Sequence, residues 1–264
     1  MSQATVHYGV TDGVALLTLD APPANTYSYE LNRSLDDAIL RARFDDAVQA
    51  IVLTGAGEKF FCAGADISML QGADPVYKYY FCLHANETLS RLEHTPKLVV
   101  AAINGHCVGG GLEVALACDL RVGRRGGGRF GVPEVNLGVL PGTGGTQRLT
   151  RLVGHQRALR WMMEGHVGEF DEAVEAGVFD EVLDEDGTSF VDAVCDYART
   201  FTSPGRAAMA VGHIKRAVQS GGGLPLEQGL VLERELQAKL FASADAREGL
   251  AAYTEKRKPE FTGR

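Results

Sequence analysis

The sequence lacks any pair of cysteines at CxxC spacing. Its five cysteines, Cys62, Cys82, Cys107, Cys118 and Cys195, are odd in number, and three of them lie in apolar runs. This argues against a disulfide framework and a cysteine-based zinc site, and no metal is expected. Reduced thiols in a cytoplasmic compartment are the expectation. No apolar run approaches the roughly 20 residues of a membrane span, so no membrane partner is expected. The opening residues, MSQATVHYGV, carry no basic segment followed by an apolar one, so no secretory signal is expected. Positive charge is also scarce. The formal net charge is -8, whereas nucleic-acid surfaces are basic, so no nucleic-acid partner is expected. There is no fixed-period repeat, no GxGxxG and no Walker lysine, which weakens solenoid and nucleotide-fold readings.

What is present suits an α/β protein. The chain has 264 residues, 45% apolar and 23% charged, enough for a sizeable core. Residues 6–10 and 14–19 read as strands of a hairpin across Asp12-Gly13. Residues 27–44 read as a helix capped by Ser28, with Leu31, Leu35, Ala38, Ile39 and Ala42 on one face. A buried strand at 50–54 follows. FFCAGADISML (60–70) reads as a tight turn with an Asp66 helix cap, and its small residues allow close approach of a ligand. A helix at 76–94 and a buried strand at 98–103 complete an alternation that implies parallel strands and crossovers. Further on come a buried helix at 112–118, strands at 119–122 and 129–132, helices at 147–152, 155–163 and 171–176, and a strand at 178–183. From residue 189 the pattern is helical throughout. The expected organisation is an α/β body over 1–187 and a helical region over 188–264.

The chemistry concentrates between Asn104 and Leu149. The triglycine Gly109-Gly110-Gly111 sits where a strand turns into a helix, and such turns present free backbone N–H groups to negative charge. A phosphate nest or a packing turn is the plainer alternative. Glu113 lies in the first turn of an otherwise apolar helix, where burial of a carboxylate is costly unless it is paired or useful. A solvent-facing acid at a helix N-terminus is the other reading. Glu134 follows Pro133 in a second glycine-rich segment. Two carboxylates beside an oxyanion site suit the addition or removal of water next to a carbonyl. The backbone donors then hold the enolate oxygen.

These segments resemble a known family. FCAGADISML (61–70), INGHCVGGGLEVALACDLRV (103–122), FGVPEVNLGVLPGTGGTQRL (130–149) and YTEKRKPEF (253–261) are similar, in order, to the motifs of the crotonase, or enoyl-CoA hydratase/isomerase, superfamily. The resemblance implies an α/β spiral of β-β-α turns with a C-terminal helical region, used for oligomerisation and for part of the CoA and acyl pocket. It implies a homo-oligomer, a trimer or a dimer of trimers. The implied substrate is an acyl-CoA thioester, with no tightly bound cofactor. Ala65 and Gly110 are implied as the two oxyanion-hole donors. Glu113 and Glu134 are implied to hold the water, with Glu134 protonating the α-carbon. Ala63, Asp66, Ile67 and Ser68 correspond to the segment lining the CoA and thioester, Gly142 and Thr143 to the loop over the acyl group, and Lys256 to a basic run facing CoA phosphates. The implied activity is hydration of trans-2-enoyl-CoA to 3-hydroxyacyl-CoA, as in fatty-acid β-oxidation. Isomerisation, C–C cleavage of a thioester, or a non-catalytic CoA- or RNA-binding role are the alternatives. Two departures stand out: Ser68 replaces a lysine common at its position, and the turn between Arg124 and Arg129 is longer, which bears on the placement of Glu134. The aromatic residues Tyr27, Tyr29, Tyr77, Tyr79, Tyr80 and Phe81 suit either an acyl pocket or core packing.

Overall fold

A computed structural model describes residues 4–263. The hairpin forms as its turn chemistry dictates. β1 (Thr5–Thr11) and β2 (Val14–Asp20) pair antiparallel, and both turn residues, Asp12 and Gly13, have positive φ (49° and 81°). Helix α1 (Tyr29–Phe44) then carries the chain across. Ser28 accepts the Leu31 N–H at 3.2 Å, and the five apolar positions of its expected face are all buried. The crossover brings β3 (Ala50–Gly55) parallel to β2, and β5 (Leu98–Ile103), β7 (Leu120–Arg124) and β10 (Glu181–Leu183) extend the same sheet.

Strands β3 and β5 are buried along their whole length because both faces of the sheet are covered. Side chains alternate between two cores. Ile51, Leu53, Val99 and Ala101 point into the main cluster. Ala50, Val52, Val100 and Ala102 pack against Phe190, Val194 and Ala198 of α8 (Gly187–Arg199). Helix α8 therefore forms an outer layer on the sheet. The helices α9 (Ala208–Gly221), α10 (Leu226–Phe241) and α11 (Ala244–Glu255) follow it. Buried Lys215 fastens α9 to the body through Asp119 at 2.8 Å and the Lys97 carbonyl at 3.0 Å. Among the described residues, no helix is long and apolar enough to cross a membrane.

A second sheet escapes the sequence pattern. β4 (Phe60–Cys62), β6 (His106–Val108), β8 (Arg129–Gly131) and β9 (Val167–Glu169) form four three-residue strands in that order. Each of β3, β5 and β7 runs directly into β4, β6 or β8, so the chain climbs in β-β-α turns. Three residues are too few to show a period-two alternation, which is why only β8 was expected as a strand. Two boundaries also differ. The strand expected over 178–183 begins at Glu181, because Val178 and Phe179 are drawn into the main core. The buried helix begins at Gly110, and the strand that feeds it is β6, not the one ending at Ile103.

Candidate active site

Two strand ends converge on one point. After β4, the Tyr27 N–H donates to the Gly64 carbonyl at 2.7 Å and pins the Ala63–Asp66 turn. After β6, Gly109 takes a positive φ of 55° and opens α4 (Gly110–Leu116), every residue of which is buried. A β-carbon on Gly64 would stand 3.6 Å from the Gly110 nitrogen, so the two turns lie side by side. A β-carbon on Gly111 would meet the Cys62 carbonyl oxygen at 2.1 Å; only glycine lets α4 rest on β4. Gly110 is the first helical residue, so its N–H has no intrahelical acceptor. Ala65 and Gly110 N–H groups both lack a hydrogen-bond acceptor among the described residues.

Glu113 is 2% exposed, which excludes the solvent-facing alternative. Its Oε1 accepts the Thr143 N–H at 2.8 Å and the Gly145 N–H at 2.7 Å, and its Oε2 accepts the Thr143 hydroxyl. Gly145 opens helix α5 (Gly145–Val153), so Glu113 also satisfies an orphan donor of that helix. The glycine-rich loop before α5 is thereby wrapped onto the carboxylate.

Glu134 is placed quite differently. It begins a 3-10 turn, Glu134–Leu137, directly after Pro133. Its Oε1 lies 2.9 Å from where a β-carbon of Gly109 would be. Its Oε2 is buried with no hydrogen-bond partner among the described residues. Burial, reinforced by the nearby Glu113 carboxylate, pushes its pKa from the ordinary 4.5 up to about 7, against the pull of the Lys78 ammonium. One carboxylate is thus held by three donors with a lone pair of Oε2 left for a water molecule, and its neighbour has a proton to give near neutral pH. Beside two free amides, such a pair can polarise a carbonyl, hold a water molecule and transfer a proton.

All of this faces one cavity of about 710 Å³. Of the residues expected from sequence, Ala63, Ala65, Ile67, Gly110, Glu113, Glu134, Gly142 and Thr143 line it. Three do not. Asp66 turns its carboxylate onto its own helix, α2 (Ile67–Gly72), accepting the Ser68 and Met69 N–H groups at 2.8 and 3.0 Å. Ser68 is exposed and donates its hydroxyl to Asp66. Lys256 is the exposed, left-handed C-cap of α11 and is not part of the cavity lining. The aromatic set divides as well. Tyr27 and Phe81 line the cavity, whereas Tyr29, Tyr77, Tyr79 and Tyr80 are exposed. Beyond the longer turn after Arg124, β8 pairs with β6 through Cys107–Phe130 and Val108–Gly131, and Glu134 lines the cavity. The sequence reading missed Lys78 and the apolar residues Leu137, Val139 and Leu140 of the opposite wall. Lys78 was detectable as the one cation on the helix face that also carries Phe81.

The spiral of strand pairs and the cavity that it closes define the crotonase class of α/β proteins. A family model described as enoyl-CoA hydratase/isomerase matches residues 9–264. A probable enoyl-CoA hydratase of Rhizobium meliloti is 39% identical, with each chain covered completely. The short-chain-enoyl-CoA hydratase of Clostridium acetobutylicum is 36% identical over 94% of this chain and 93% of its own. The crystal structure of an enoyl-CoA hydratase from Geobacillus kaustophilus superposes with a TM-score of 0.95 at 41% identity, covering 100% of this chain and 98% of the other. The chain belongs to the enoyl-CoA hydratase/isomerase family.

Proposed function

We propose that the protein is an enoyl-CoA hydratase that adds water across the double bond of a trans-2-enoyl-CoA to give a 3-hydroxyacyl-CoA. The observation that carries this reading is the unequal carboxylate pair, Glu113 and Glu134, facing one cavity beside the Ala65 and Gly110 amides. The thioester oxygen accepts from those two N–H groups, which draws electron density from C3 and stabilises the enolate. Water sits between the carboxylates and its oxygen bonds to C3. Glu134 gives its proton to C2, and the proton released by the water returns to the carboxylate pair. Because one carboxylate pair supplies both the water and the proton, both add to the same face of the double bond.

The substrate is a CoA thioester, and no tightly bound cofactor is needed for this chemistry. Lys256 and Lys258 serve the CoA phosphates from the surface, since Arg257 between them is held by Glu248 and Glu255. The helices α9 to α11 expose Leu226, Phe241 and Tyr253 at 77%, 62% and 87%, an apolar surface suited to packing against other copies in a trimer or dimer of trimers. A reducing, cytoplasmic setting and a place in fatty-acid β-oxidation accord with five free thiols and an enoyl-CoA substrate.

The test is to supply crotonyl-CoA and follow loss of the enoyl-thioester absorbance. Glu113→Gln and Glu134→Gln should each lower turnover by roughly 10²–10⁴-fold. Unchanged rates in both variants would sink the assignment.

A further inference from the structure

Helix α3 (Pro75–Glu93) forms one wall of the cavity, and its cavity face carries a single cation. Helical spacing puts Lys78, Phe81 and Ala85 on one stripe. Phe81 and Ala85 on it are buried, and Phe81 meets Tyr27 edge-on at 6.1 Å. The opposite stripe, with Tyr79, Tyr80 and Leu83, is exposed. An ordinary solvated lysine belongs on that outer side. Lys78 is instead half-buried, with its ammonium 5.0 Å from the Phe81 ring centroid. It forms no ion pair among the described residues. An ammonium without an ion pair, turned towards the cavity, keeps N–H donors available for a ligand.

Its position selects the ligand. Lys78 sits close enough to Glu134 and to the Cys82 thiol to act on both, and the Cys82 sulfur lies 3.2 Å from where a β-carbon of Gly142 would be. The ammonium is therefore at the reacting end of the cavity. The phosphates of a CoA thioester lie a full pantetheine arm away from that end. The acyl chain is what passes Lys78, with Leu137, Val139 and Leu140 also lining the cavity.

We propose that Lys78 is a specificity-determining residue that recognises a carboxylate on the acyl chain, so that the preferred substrates are enoyl thioesters of dicarboxylic acids. This rests on the reading of the cavity as an enoyl-CoA site. The test therefore uses saturated thioesters, which bind without being hydrated. Glutaryl-, adipyl- and suberyl-CoA are titrated calorimetrically against the full-length protein beside pentanoyl-, hexanoyl- and octanoyl-CoA. Lys78→Met should weaken binding of at least one dicarboxylic thioester by roughly ten- to a hundredfold, the range for a charge-assisted hydrogen bond, and leave its monocarboxylic counterpart equal or tighter. Lys78→Arg should restore most of the loss. Equal weakening of both series would assign Lys78 to the CoA phosphates or to the fold and overturn the proposal, as would no weakening of either. A shifted pH-rate profile without any selectivity would make it only a positioning residue for Glu134 and overturn it too. Selective binding in a protein that hydrates neither crotonyl-CoA nor an enoyl-CoA of a dicarboxylic acid would instead remove the hydratase reading and keep the carboxylate recognition.

Discussion

Replacing Glu134 with glutamine should make the protein more stable while nearly abolishing turnover. Glu134 is held with one oxygen unpartnered and with Glu113 nearby, so its charged form is disfavoured in the folded state. The pKa of about 7 lies above the ordinary 4.5. Below pH 4.5 the group is protonated in both folded and unfolded chains, and the raised pKa costs nothing. As pH rises towards 7, the unfolded chain ionises freely while the folded one resists, and stability is lost progressively. At about 1.4 kcal/mol per pH unit, the full difference is about 3 kcal/mol. Water reaches part of the side chain and screens it, so about 2 kcal/mol is the working figure. A neutral glutamine escapes that loss. Urea unfolding of the wild type and Glu134→Gln, at one protein concentration, should therefore diverge by about 2 kcal/mol at pH 8 and converge by pH 4.5. The wild-type hydration rate should fall as pH rises through about 7, as the acid form of Glu134 disappears. A variant no more stable than the wild type at pH 8, or a gain independent of pH, would refute the reasoning.

Thr143→Val removes the hydroxyl that donates to Glu113 and leaves a buried carboxylate oxygen short of a donor; about 1–3 kcal/mol of stability and at least tenfold in kcat should go, read by denaturation and steady-state kinetics. Gly111→Ala drives a β-carbon to 2.1 Å from the Cys62 carbonyl, so α4 must lift off β4; more than 4 kcal/mol should be lost, with poor soluble yield as the first sign. Lys215→Met strands the Asp119 carboxylate, whose pKa burial already raises, and should cost about 3–5 kcal/mol in urea unfolding at pH 7, with less cost in acid where Asp119 can protonate.

Long elements were legible because their physics is local. The face of α1, the burial of β3 and β5 and the Asp12-Gly13 turn follow from periodicity, burial and φ preference, and each forms as expected. The small sheet was not, because its strands are defined by partners far away in sequence. Phe60–Cys62 becomes a strand only because His106–Val108 lies against it. Asp66 shows how local chemistry can prevail over a motif position. Its carboxylate has two N–H groups of α2 within reach, so it caps the helix and leaves the cavity to its neighbours Ala65 and Ile67.

The two glutamates mark the limit most clearly. In sequence they look alike: each is an acid in the first turn after a glycine or proline. Their difference arises from what closes over them. The Thr143–Gly145 loop supplies Glu113 with three donors. Glu134 receives the flat surface of Gly109, which brings its carboxylate close and leaves Oε2 without a donor. That asymmetry separates an acceptor from an acid, and it exists only once β4, β6 and β8 have stacked. Lys78 shares this origin. On α3 alone it is an unremarked lysine three residues before a phenylalanine-cysteine pair. Against the cavity it becomes a cation next to the acid, and its charge then bears both on how strongly Glu134 holds its proton and on which acyl chains the cavity admits.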